Sequence, residues 1–150
     1  MFLKSHTDLP VRFAVVRDGM TQCPAGWLAQ VALDTKQHAE RLLAEVGLAA
    51  VLGGADQHVH VELGGVISTE RLASLPLHLR VEEGGRVVRS LDGSLDAAWL
   101  GPDRTHLALS AQYELPVAML EGHVDRALVH RVAESASRRF LETAARRLRG

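Results

Sequence analysis

Residues His123–Arg149 read HVDRALVHRVAESASRRFLETAARRLR. Val124, Leu128, Val132, Ala136, Phe140, Ala144 and Leu148 form an unbroken i+4 row through this stretch, a spacing that stacks side chains on one face of a helix. At the standard rise such a helix is about 40 Å long. Four residues turn about 400°, so the row drifts and lies inclined to the axis by roughly 26°. A drifting stripe suits oblique packing across a curved sheet, whereas a coiled-coil seam would need a period of 3.5. Acids early (Glu121, Asp125) and arginines late (Arg146, Arg147, Arg149) agree with the helix dipole.

Upstream of this helix the chain is punctuated by Gly64-Gly65, Gly84-Gly85, Asp92-Gly93 and Gly101-Pro102-Asp103, the spacing of turns in an antiparallel meander. The runs between them, His58–Leu63, Leu75–Glu82, Arg86–Leu91, Ser94–Leu100 and Arg104–Tyr113, each have the length of an ordinary strand. Leu77, Leu79 and Val81 alternate with His78, Arg80 and Glu82, and Leu107, Leu109, Ala111 and Tyr113 alternate with His106, Ala108, Ser110 and Gln112. That alternation implies one covered and one wet face.

Further upstream, Leu9, Val11, Phe13 and Val15 recur at period two, which predicts a first strand over Leu9–Arg17, ended by Asp18-Gly19 and paired with the final meander strand. Two short helices follow. Pro24 suits a first helical turn ahead of Trp27, Leu28 and Val31. Asp34 or Thr35 can cap a second helix whose apolar face is Ala39, Leu42, Leu43 and Val46, with Gly47 at its C-cap.

The order strand, two helices, run of antiparallel strands, long helix belongs to the α+β class, with the last helix as the only large apolar cover for the sheet. The order resembles the helix-grip fold of the START, Bet v 1 and polyketide-cyclase (SRPBCC) superfamily. The local matches are Leu75-Pro76-Leu77-His78-Leu79-Arg80, Leu91-Asp92-Gly93-Ser94-Leu95, Leu100–Leu107, Tyr113-Glu114-Leu115-Pro116 and Asp125–Glu134, which resemble an uncharacterised bacterial subgroup. The resemblance implies a curved sheet of six or seven strands around the long helix. It also implies a small hydrophobic or amphipathic ligand, lipid-like or polyketide-like, in a cavity between them. It brings no shared catalytic residue.

Composition bounds the rest. With 150 residues, 47% hydrophobic, 23% charged and a net charge of -1, the chain reads as one domain over 1–150 with no need of a disulfide or structural metal. Disorder and a membrane-spanning helix lack the required composition. The start, MFLKSHTDLP, lacks a secretory pattern, so a cytoplasmic location is expected. Only Lys4 and Lys36 are lysines among 17 basic residues, and the arginines are dispersed, so no nucleic-acid partner is expected. A homodimer is compatible with all of this.

Chemistry is sparse. Phosphate-loop, dinucleotide, zincin, thiol-redox and esterase motifs are all missing from the sequence. His58 and His60 share a strand face but lack an evident third ligand, so no metal and no cofactor are expected. Cys23, ahead of Pro24, reads as a structural cysteine or a dipole-activated thiolate. Asp96 and His106 read as a surface pair or an acid and base couple. Arg138, Arg139, Arg146 and Arg147 read as a solvated helix face or an anion-binding one. Phe13, Leu77, Leu79, Trp99, Leu107, Leu109, Tyr113, Leu128 and Val132 are the expected cavity walls. A cyclase or dehydratase would need an ionisable group pointing inward, and a protein-interaction module would instead have a filled core.

Overall fold

A computed structural model describes residues 2–22, 24–46, 57–114 and 126–149. The element order is β1 (Phe2–Leu9), α1 (Phe13–Thr21), α2 (Pro24–Glu45), β2 (Gln57–Leu63), β3 (Ile67–Ser68), β4 (Leu72–Glu83), β5 (Arg86–Gly101), β6 (Arg104–Glu114) and α3 (Arg126–Leu148). All pairings are antiparallel, in the order β1-β6-β5-β4-β2, with β3 also on β4. The sheet is open and curved, and the helices cover one face of it.

The expected pairing of the first strand with the last holds, but the strand is Phe2–Leu9 and not Leu9–Arg17. In β1 the inward positions are Leu3, Ser5, Thr7 and Leu9; two of the four are hydroxyl residues, which hides the alternation from a hydropathy reading. Phe13–Thr21 is helical because Phe13, Val16 and Met20 are the residues that reach the core, at spacings of three and four, while Val15 is left exposed.

The second correction concerns Asp92-Gly93, read as a turn. The chain passes straight through it, and β5 runs 16 residues. Gly93 lies between Leu77 of β4 and Ala111 of β6. A Cβ there would stand 2.1 Å from the Ser110 carbonyl oxygen and 2.8 Å from the Ala111 Cα. The glycine therefore permits close approach of neighbouring backbone in mid-sheet, one of the uses of glycine inside a strand. Gly84 and Gly85, by contrast, do make a turn, with φ of 59° and 78°, as a type I′ hairpin requires.

Asp34 and Thr35 start no new helix, since α2 continues through them for 22 residues. Thr35 Oγ1 donates to the Val31 carbonyl, and Asp34 instead receives Arg139 of α3 at 3.0 Å. Gly47, Cys23 and residues 123–125, where the long helix was expected to begin, lie outside the described residues. Over its described length α3 buries Val129, Val132, Ser137, Phe140, Leu141, Ala144, Ala145 and Leu148, so the buried face takes in the i+4 row of Val132 and Leu148 together with the neighbouring row of Val129 and Ala145.

Candidate functional site

One end of the space beneath the sheet is filled. Leu9, Phe13, Val16 and Met20 of the β1–α1 region pack with Leu75, Leu95, Ala97 and Leu107 from the sheet and with Ala144, Ala145 and Leu148 from α3. Towards the other end, α3 packs chiefly against α2 and β1 and only lightly against β6. The helix therefore stands off the middle of the sheet, and a cavity of about 210 Å³ opens there.

Its walls come from both layers. The sheet contributes Leu3, Val59, Leu77, Leu79, Val81, Leu91, Leu109 and Tyr113; α2 contributes Ala32, Thr35, Lys36 and Ala39; α3 contributes Ala133, Ala136, Ser137 and Phe140. Small residues on both helices make the room, because Ala32, Ala39, Ala133 and Ala136 face sheet positions occupied by leucine and valine. Most of the wall is hydrocarbon. The Thr35 hydroxyl is spent on the Val31 carbonyl. Ser137 Oγ donates to the Glu134 carbonyl, which leaves Ser5 Oγ to donate to Ser137 across 2.8 Å.

Among the described residues, charge on the wall is confined to Lys36, which is ion-paired with Glu40, and Arg89. Burial pulls the Arg89 guanidinium below its ordinary basicity, opposed by the field of Glu40 and Glu83. Tyr113 supplies the most directional polar group. Its hydroxyl lies 2.8 Å from His130 Nδ1, and His130 Nε2 lies 3.0 Å from Glu134 Oε1. The two rings are nearly parallel, 15° apart with centroids separated by 6.1 Å. Burial, and secondarily the Glu134 charge, raise the Tyr113 hydroxyl above its ordinary pKa, so it stays protonated.

Of the residues expected to form walls, Leu77, Leu79, Leu109 and Tyr113 line this cavity. Leu107, 0% exposed, and Phe13 belong to the filled end. Val132 is buried on α3 but off the wall, and Leu128 is half-buried. Trp99 is 38% exposed, with the Arg71 guanidinium over its ring at 4.4 Å. The alternation places Trp99 with Leu95 and Ala97, but beyond Ala97 the strand runs past the core and its register with β6 shifts. Ala39 and Ala136 read from the sequence as helix-face residues and, like Ala133, not as cavity walls, because alanine carries no hydropathy signal for a cavity.

The other candidate chemistries are separated in space. Asp96 accepts from Ser74 and Ser94, while His106 pairs with Asp8 at 2.8 Å, so the supposed acid and base couple is two unrelated surface contacts. His58 is exposed, and His60 Nε2 faces Glu82 at 3.2 Å. Among the described residues, no group of three or more His, Cys, Asp or Glu side chains is placed to hold a metal ion. Of the four arginines, Arg139 is bound to Asp34, Arg138 is exposed, and Arg146 and Arg147 border a groove of about 730 Å³ between α2 and α3 that also holds Trp27 and Gln30. Among the described residues no helix is long and apolar enough to cross a membrane.

Solved structures share this fold. The hypothetical protein jhp0584 from Helicobacter pylori superposes with a TM-score of 0.54 at 10% identity, over 97% of this chain and 86% of that one. A conserved protein from Geobacillus kaustophilus gives 0.53 at 12% identity, over 97% and 93%. The fold is a helix-grip fold. The Zhui aromatase/cyclase from Streptomyces sp. R1128 aligns over 99% of this chain and 93% of its own at 13% identity, with a TM-score of 0.44. No family model matches the chain, and no curated protein matches it in sequence.

Proposed function

We propose that the protein binds a small apolar or amphipathic molecule, lipid-like or polyketide-like, between the sheet and helices α2 and α3. The observation that carries this is the apolar-walled cavity of about 210 Å³ at one end of an otherwise close-packed core. An apolar cavity of about 150 Å³ accepts benzene, and sites for drug-sized ligands run from about 300 Å³ upward. The space therefore suits a fused bicycle or a short acyl chain. An aromatic group removing about 200 Å² from water there gains about 5 kcal/mol before the costs of association.

Native mass spectrometry of the protein purified from its own source tests this. A retained small molecule, released by denaturation and lost in the cavity-filling variant Ala136→Leu, is the expected result. Absence of any adduct, together with no uptake of an apolar fluorophore by wild type, would sink the proposal and leave the interaction-module alternative. The cyclase or dehydratase alternative needs an inward group able to move a proton. The ionisable residues on the described wall are Lys36, ion-paired with Glu40, Arg89, and Tyr113, hydrogen-bonded to His130.

A further inference from the structure

Among the described residues, the groove between α2 and α3 shares no lining residue with the cavity. Its floor is apolar, with Val31 4% exposed and Trp27 9% exposed. Trp27 still carries one donor, the indole N–H, and among the described residues nothing accepts from it. Among the same residues, Arg80 Nε is the buried side-chain nitrogen or oxygen left sealed from solvent without a partner. The Trp27 N–H is therefore not sealed, and the open side of Trp27 is the groove. The rim is cationic. Arg146 and Arg147 border the groove, and among the described residues neither forms an ion pair, while Arg146 spends one N–H on Thr143 Oγ1 at 3.3 Å. The groove's carboxylate, Asp34, is already answered by Arg139 at 3.0 Å. The C-terminal dipole of α3 accounts for the sign of the two arginines, but not for the concave site and the indole donor beside them.

From this geometry we infer that the groove binds a small aromatic phosphate monoester, with Arg146, Arg147 and the Trp27 N–H on the phosphate oxygens and the ring against Trp27 and Val31. Near pH 8 such a monoester carries about two negative charges and three strongly accepting oxygens. Two guanidinium forks and one indole donor match it in charge and in number, whereas a carboxylate or sulfonate leaves one cation over. A free molecule is required, because a lipid headgroup tied to a bilayer does not bring a ring against a side chain that is nine-tenths buried. The site stands apart from the cavity and from the ligand proposed for it.

The test is a titration of the full chain with phenyl phosphate at pH 8 in phosphate-free buffer, followed by proton–nitrogen NMR. The indole groups of Trp27 and Trp99 give separate signals there, assigned with Trp27→Phe. Phenyl phosphate is expected to move the Trp27 signal, to leave that of Trp99, and to bind about fivefold tighter than benzenesulfonate, its monoanionic counterpart. Arg146→Gln and Arg147→Gln should each weaken it about fivefold to tenfold at an unchanged thermal midpoint. Gly26 offers a variant on the other wall. A Cβ there meets nothing within 4 Å, so Gly26→Glu should fold as wild type does, and its carboxylate should abolish binding. An unmoved Trp27 signal, equal affinity for the sulfonate, or full binding by both arginine variants or by Gly26→Glu would each overturn the inference and leave the cavity reading in place. Binding to vesicles of phosphatidylcholine and phosphatidic acid with no response to phenyl phosphate would overturn it in favour of a membrane surface.

Discussion

At the scale of single residues, the molecule depends on where volume is missing. Gly93 has no space for a side chain: the Ser110 carbonyl stands 2.1 Å from the site of a Cβ. Gly93→Ala must push β5 away from β6 and is expected to destabilise the fold by about 3 kcal/mol, read as a lower urea midpoint. Two alanines make the complementary pair. Ala97, 0% exposed, sits in the filled end, whereas Ala136 lines the cavity. Ala97→Leu should cost about 1 to 3 kcal/mol as overpacking. Ala136→Leu should leave the thermal midpoint unchanged or raised, since its added carbons enter open space, and should abolish uptake of an apolar fluorophore. Loss of stability in both would mean that the gap beneath the sheet is closed in solution.

At the scale of elements, the seam between α2 and α3 is polar as well as apolar. Arg139 Nε donates to Asp34 Oδ2 at 3.0 Å, Thr143 Oγ1 approaches the same oxygen at 3.4 Å, and His38 meets Ser135 at 3.3 Å. The hydrogen bond from Arg139, outweighing partial burial, holds Asp34 below its ordinary carboxylate value of 3.8. A group with a lowered folded pKa stabilises the fold above its unfolded value, and that contribution is lost as the pH falls through the folded one. Asp34→Ala should therefore be less stable than wild type at pH 6 by no more than about 1 kcal/mol, given the exposure of the pair. The difference should shrink once the pH drops below 3.8, as measured by urea melts from pH 3 to 7. A gap that stayed constant down to pH 3 would show that Asp34 acts through packing.

At the scale of the whole molecule, the sheet has one apolar face, and α2 and α3 are its main cover. A chain ending at Glu114 would keep every described strand and lose α3. It is expected to be insoluble or to melt without a cooperative transition, because the surface under Leu3, Leu109, Ala111 and Tyr113 would meet water. A sharp calorimetric transition in that truncation would contradict the role given to the helix. The closed end and the hollow end also have distinct sources. Helix α1 plugs the first with Phe13, Val16 and Met20, and among the described residues nothing of comparable bulk faces the sheet between Ala39 and Ala136.

Local periodicity alone determined much of this. The i+4 row before Leu148, the alternation in Leu77–Glu82 and Leu107–Tyr113, and the Gly84-Gly85 pair that closes the β4–β5 hairpin each express a backbone geometry that a few neighbouring residues dictate. With the element order they are enough for an antiparallel sheet around a long helix, and for Leu77, Leu79, Leu109 and Tyr113 on its inner face. Other features depended on partners distant in sequence. Ser5 is buried because Ser137 is there to bond it, Gly93 is a mid-strand residue because Ser110 comes too close for a side chain, and Phe13–Thr21 is a helix because the core accepts residues at three and four. The cavity belongs to this second kind. Hydropathy records which residues avoid water, whereas an empty volume is the difference between the shapes of two packed layers, and only the tertiary structure sets those layers side by side.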